Sequence, residues 1–237
     1  MRSERIWELD AIRGLCILCV IVIHVVFDCQ YFLNWNVDLP AFYLFIQNNG
    51  GILFILLSGI CATLGSRSFR RGLIVFACGL LITVVTYGMA ALGYADRDVI
   101  IHFGILHLLG VSMMLYPLLK KLPTWAVGVI GAVIVFVGYV FLSMRVPSEW
   151  LFVLGLRSPT YTAGDYYPLL PFFGWFCLGV VLGRTLYRKQ RSLLPNAPKD
   201  AAVLRFLRFC GRHSLPIYLL HQPICYAVLS LIARIRN

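Results

Sequence analysis

Charge is scarce in this chain. Asp, Glu, Lys and Arg make up only 13% of its 237 residues, against about 25% in an ordinary globular domain. Acidic residues are the scarcest, 10 against 21 Lys and Arg, which leaves a net charge of +11. Apolar residues fill the gap: they are 60% of the chain, and the mean hydropathy is +0.82. A soluble domain of this length cannot hide that much apolar surface. Disorder is excluded by the same composition, because a chain stays unfolded when it has too little to bury. Lipid is therefore the solvent for most of the molecule.

Other absences narrow the class. There is no low-complexity segment and no internal repeat. A disulfide framework is not suggested, since seven of the eight cysteines lie in apolar stretches and Cys210 in a basic one; they read as small buried hydrophobes. Cys16 and Cys19 have metal-like spacing, but no second pair follows, and no metal is expected. The first apolar run is too long for a cleaved leader, acidic residues precede it, and no small-x-small site closes it. Nucleic acid is not the expected partner either, because the positive residues sit in short runs between apolar stretches, as membrane topology requires.

A bilayer core of about 30 Å takes roughly 20 apolar residues of helix. Seven stretches qualify: 10–32, 50–66, 72–93, 100–119, 124–144, 166–187 and 214–235. The expected fold is an all-α, polytopic membrane bundle of about seven helices, forming a single domain over 1–237. With the N-terminus in the cytoplasm, Arg2, Arg5, Arg13, Arg67, Arg70, Arg71, Lys120, Lys121, Arg184, Arg188 and Lys199 fall on the inner side. The outer loops keep only Arg97, Arg145 and Arg157, while Arg234 and Arg236 sit at a C-terminus that seven spans would place outside. The expected location is the cell (inner) membrane. Segment 196–213, with Val203, Leu204, Phe206, Leu207 and Phe209, reads as an amphipathic helix on the inner surface.

Ionisable side chains inside spanning helices are costly and mark function. The first helix carries Asp10, Arg13, His24 and Asp28. At about 100° per residue, and with His24 as zero, Arg13 falls near −20° and both Asp10 and Asp28 near +40°. All four share one stripe. Arg13 lies near the inner interface and His24 in the outer third, with Asp28 one turn further out, where its carboxylate can orient the imidazole. His102 and His107 on the fourth helix are about 140° apart, at the depths of Asp28 and His24 respectively. Gln47, Asn48 and Asn49 line the outer mouth of the second helix, and Asp165 that of the sixth; such groups suit a hydroxylated or amino-bearing substrate. His221-Gln222-Pro223 lies in the inner half of the last helix, where no direct contact with His24 is expected. The arginine clusters at 67–71 and 184–188 satisfy topology, and they also suit a phosphate-rich cofactor.

Several of these stretches carry a resemblance. Glu8-Leu-Asp10-Ala-Ile-Arg13-Gly, followed by His24, is similar to the opening of integral-membrane acyltransferases, and the Arg13–His24 spacing also resembles the acyltransferase-three family. His24-Val-Val-Phe-Asp28, Gly51-Ile-Leu-Phe-Ile-Leu-Leu-Ser58-Gly59, Phe103-Gly104-Ile-Leu-His107, Asp165-Tyr-Tyr-Pro and Gly211-Arg-His-Ser-Leu-Pro-Ile-Tyr-Leu-Leu-His221-Gln-Pro223 resemble bacterial relatives of the heparan-α-glucosaminide N-acetyltransferase catalytic domain. The resemblance runs from the first helix to the last. It implies transfer of an acyl group, usually acetyl from cytoplasmic acetyl-CoA, to an amine or hydroxyl of a sugar or glycan at the far membrane face. On that reading His24 is the general base, Asp28 holds its tautomer, and His107 or His102 helps polarise the carbonyl or position the acceptor. Arg13, Arg67, Arg71, Arg184 and His221 contact CoA, and Asn48, Asn49 and Asp165 contact the acceptor. Membrane lipids and a second copy of the chain are further partners open to such a bundle. A proton-coupled carrier of small solutes and a non-catalytic subunit of a polysaccharide-export assembly are the alternative readings.

Overall fold

A computed structural model describes residues 5–33, 35, 38–197 and 200–236; Arg2 and Lys199 lie outside the described residues. Eight α-helices occur among them: α1 (Trp7–Leu33), α2 (Ala41–Leu64), α3 (Ser68–Ala91), α4 (Ile105–Leu119), α5 (Thr124–Ser143), α6 (Leu169–Leu186), α7 (Ala202–Arg212) and α8 (Ser214–Arg236). Two isolated β-bridges are the only strand-like pairing among the described residues. Six helices are long and apolar enough to cross a membrane, and α4, with 15 residues, is shorter. The chain is thus a multi-pass, all-helical membrane protein.

Proline marks several helix starts, where its missing N–H is not needed. The Pro40 carbonyl accepts from Leu44 N–H and the Pro123 carbonyl from Val127 N–H, each at 3.2 Å, and Pro168 precedes α6. The first of these corrects an expectation. α2 begins at Ala41, nine residues before the predicted 50, because Phe42, Tyr43, Leu44, Phe45 and Ile46 supply two more apolar turns. Asn48 and Asn49 are therefore inside α2 and not at its mouth. The fourth helix also starts later than expected, at Ile105 and not at 100. His102 lies in the extended segment before it, so the angle calculated between His102 and His107 on one helix does not apply.

The chain's contacts gather into two compact units, residues 1–54 with 190–237, and residues 55–189. In the first, α7 is pressed onto the start of α1 at two glycines. A Cβ on Gly14 would run into the Leu207 carbonyl, and one on Gly211 into the Asp10 carbonyl; such small residues let helix backbones meet. Acidic residues of the opening motif hold this arrangement. Buried Glu8 accepts from Leu193 N–H at 2.7 Å and from the Ser192 hydroxyl at 2.8 Å, and Asp10 pairs with Arg212 at 3.3 Å. From there α8 runs along α1.

In the second unit α3 packs on α4 and α5 on α6. The later turns of α2 meet α6 just as closely, since a Cβ on Gly59 or Gly179 would strike the facing helix's backbone at Phe176 or Leu56.

Candidate functional site

The first unit holds a polar cluster between α1 and α8. The His24 and His221 rings have centroids 4.9 Å apart, inclined at 57°. This overturns the expectation that His221 lies too deep to meet His24. That expectation measured each residue from the end of its own helix, but α7 seats α8 part-way up α1. His24 is ten residues beyond Gly14, and His221 is ten residues beyond Gly211; these two glycines lie in the same contact. Two helices rising together from that point bring the two imidazoles level.

A hydrogen bond selects the tautomer of neutral His221. Its Nδ1–H donates to the Tyr218 carbonyl at 2.6 Å. The proton is thereby held on Nδ1, and Nε2 is left with a lone pair. That Nε2 is buried and has no partner. The next residue, Gln222, donates its amide to both oxygens of buried Asp28, at 3.0 and 3.1 Å, and its own Oε1 is also buried and unpartnered. Asp28 was expected to hold the His24 tautomer; the hydrogen bonds recorded for its carboxylate go to Gln222. Two orphaned acceptors on adjacent residues, beside a second imidazole, make a place suited to receiving a proton or an N–H or O–H group. Sequence reasoning missed Gln222. The clue was available in its position beside His221, but helical spacing alone does not say which helix faces Asp28.

The second unit holds His107, and both its nitrogens are engaged. Nδ1 accepts from Gly104 N–H at 3.2 Å. Nε2 lies 3.3 Å from the Thr83 hydroxyl, which itself donates to the Ile101 carbonyl at 2.7 Å. Nε2 therefore carries the proton, and the ring is neutral and satisfied. It is buried, stacked on Phe103 with centroids 5.5 Å apart, and fits against Gly79. His107 fastens the start of α4. His102 lies beside Tyr87, its Nδ1 3.5 Å from the phenol oxygen.

Asp165 caps the same helix. Its carboxylate accepts from Ile105 N–H at 2.9 Å, satisfying one of the free donors of the first turn. It approaches so closely that a Cβ on Gly104 would collide with it. Burial pushes the carboxyl up to about 6, against the smaller lowering by the Ile105 N–H.

Of the remaining expected contacts, Arg13 is half-buried on α1, and Arg67 and Arg71 are exposed at the start of α3. Arg184 donates to the carbonyls of Leu119 and Leu122, at 2.8 Å each, so its guanidinium closes the end of α4. Asn48 and Asn49 are exposed on α2, and the Asn49 amide turns back to the Phe45 carbonyl at 2.9 Å.

Six helices of lipid length, among them α1 and α8 with the His24–His221 ring contact, define a class, the multi-pass helical membrane proteins. Residues 5–223 match the family model described as heparan-alpha-glucosaminide N-acetyltransferase, catalytic. The chain belongs to that family, and membrane acyltransferase-like activity is the class of function it implies. No curated protein and no solved structure gives a match.

Proposed function

We propose that the chain transfers an acyl group, acetyl in the first place, from cytoplasmic acyl-CoA to an amine or hydroxyl of a sugar at the outer membrane face. The observation that carries this reading is the His24–His221 pair, with Nε2 of His221 buried and unpartnered. The thioester supplies the activated carbonyl. As the acceptor's nitrogen or oxygen bonds to that carbon, its proton passes to His221 Nε2; the C–S bond breaks and the proton is returned to the departing thiolate. The Tyr218 carbonyl stabilises the imidazolium through Nδ1–H, and His24 lies against its ring. Asp28 and Gln222 hold α8 against α1 so that the two rings stay together. His107 has no free lone pair and takes no proton in this scheme. On α1, the half-buried guanidinium of Arg13 offers the charge that CoA phosphates require.

The test uses the full chain in nanodiscs with labelled acetyl-CoA and amino-sugar or sugar acceptors. Positioned proton transfer contributes about 10²–10⁴-fold, so His221→Ala and His24→Ala should each lose activity of that order while CoA binding persists. Full activity in both variants, or wild-type protein that binds no CoA, would overturn the reading. Solute uptake into proteoliposomes without acyl-CoA would favour the carrier in its place.

A further inference from the structure

α7 differs from the helices it touches, because its 11 residues are too few to span lipid and its three faces are unlike one another. At about 100° per residue and with Phe206 as zero, Leu207, Gly211 and Leu204 fall at about 100°, 140° and 160°. This face meets the start of α1, where the Leu207 carbonyl closes on Gly14 and Gly211 on the Asp10 carbonyl. Val203 and Phe209 fall about 60° to either side of Phe206, and all three side chains are more than half exposed. Arg205, Arg212 and Arg208 fall at about −100°, −120° and −160°, a stripe that borders Phe209. Arg205 is exposed, and so is Arg212 beside its partner Asp10.

The neighbours of α7 set its level. α1 is long and apolar enough to span over Trp7–Gln30, and α7 meets it at Asp10 and Gly14, in its opening turns. Trp7 is of a residue type that favours the lipid–water boundary, and its indole N–H donates to the Leu194 carbonyl at 3.3 Å. Leu193 and Leu194 are themselves about half exposed. These contacts put α7 at the edge of the bilayer, where an apolar face meets acyl chains and arginines reach the headgroup layer. Charge then selects among headgroups. Residues 190–213 carry Arg191, Lys199, Arg205, Arg208 and Arg212 against a single carboxylate, Asp200. A strip of that sign attracts headgroups of net negative charge and gains little from zwitterionic ones.

We propose that α7 is a docking surface for anionic phospholipid, with Val203, Phe206 and Phe209 among the acyl chains and Arg205, Arg208 and Arg212 at the phosphates. A lipid held there also bears on the joint that seats α8 against α1, since α7 leads into α8 through His213. The binding does not rest on the acyl-transfer reading. The phosphates of a soluble nucleotide offer the same oxyanions, so the test separates the two sources.

The full chain is placed in phosphatidylcholine nanodiscs with a trace of photoactivatable phosphatidylglycerol. Crosslinked residues are mapped by mass spectrometry while unlabelled lipids compete. The label should gather on residues 190–213, and unlabelled phosphatidylglycerol should displace it far more effectively than added phosphatidylcholine. Each cation near an anionic surface is worth about a fivefold change, so Arg205→Gln with Arg208→Gln should remove most of that preference. Arg205→Lys with Arg208→Lys keeps the charge and should keep the preference, which a purely structural role for the guanidinium groups would not allow. Label spread evenly over the lipid-facing helices, or a preference unchanged in the glutamine variant, overturns the proposal. Displacement of the label by CoA assigns the arginines to nucleotide phosphates and overturns it as well. So does an α7 that is shielded from the label in native vesicles and labelled only after purification, which assigns the face to a protein partner. No readout needs an acyl donor, so failure here and failure of acyl transfer are distinguishable.

Discussion

Asp165 offers the sharpest test of the second unit. Its carboxyl is raised from 3.8 to about 6, chiefly by burial and in spite of the Ile105 N–H. The folded protein therefore holds this proton more tightly than the unfolded chain does. The resulting stability is fully present below about pH 3.8 and is lost as pH rises through about 6. Each pKa unit corresponds to 1.36 kcal/mol, so the whole effect is at most roughly 3 kcal/mol, and less where solvent reaches the half-buried residue. Asp165→Asn stays neutral at every pH and keeps an oxygen for Ile105. Its stability should equal the wild type's near pH 4 and exceed it at pH 7 by roughly 1–3 kcal/mol. At about 2–4 °C per kcal/mol, tryptophan-monitored melting in detergent should show a gap of several degrees opening between pH 4 and 7. Asp165→Ala, which loses the cap, should be less stable than Asn by about 1 kcal/mol at all pH values. A variant that tracks the wild type across this window, or one that is less stable at pH 7, would refute the reasoning.

Two further outcomes follow from the first unit. Gly211→Val drives a side chain into the Asp10 backbone and should release α7 from α1; protease cleavage between α6 and α7 should become faster, whereas Arg212→Lys at the half-exposed ion pair should change stability by less than about 1 kcal/mol. Gln222→Leu strips buried Asp28 of its amide partner and should cost about 1.5–3 kcal/mol in denaturation. Adding Asp28→Leu to that variant, which removes the stranded carboxyl, should restore much of the loss.

The spanning helices were legible because long apolar runs leave little else for the backbone to do in lipid. Helix ends were less so. Gln47-Asn48-Asn49 interrupts the apolar pattern and suggests a boundary, yet a helix carries three polar residues without breaking when they face outward, as these do. Ile100, Ile101 and Phe103 look like the first turn of a span, and two of them are buried, but the chain there is extended, and Gly104 with the Asp165 cap sets the true start. His24 and Asp28 were found by their cost in an apolar helix. Their partners were not, because pairing depends on which helix lies alongside and at what height. Gly14 and Gly211 held that information, but only as two small residues among twenty glycines. The stripe on α1 also mixed two jobs: Asp10 belongs to the docking of α7, and Asp28 to the contact with α8.

The His24–His221 contact joins α1 to α8, far apart along the chain. Ribosomes release α1 long before α8 exists, and 196 residues lie between His24 and His221. Until α8 inserts, the nascent chain carries His24 without its ring partner. A product truncated before α8 would sit in the bilayer without this ring contact, so on the acyl-transfer proposal activity would await the insertion of α8.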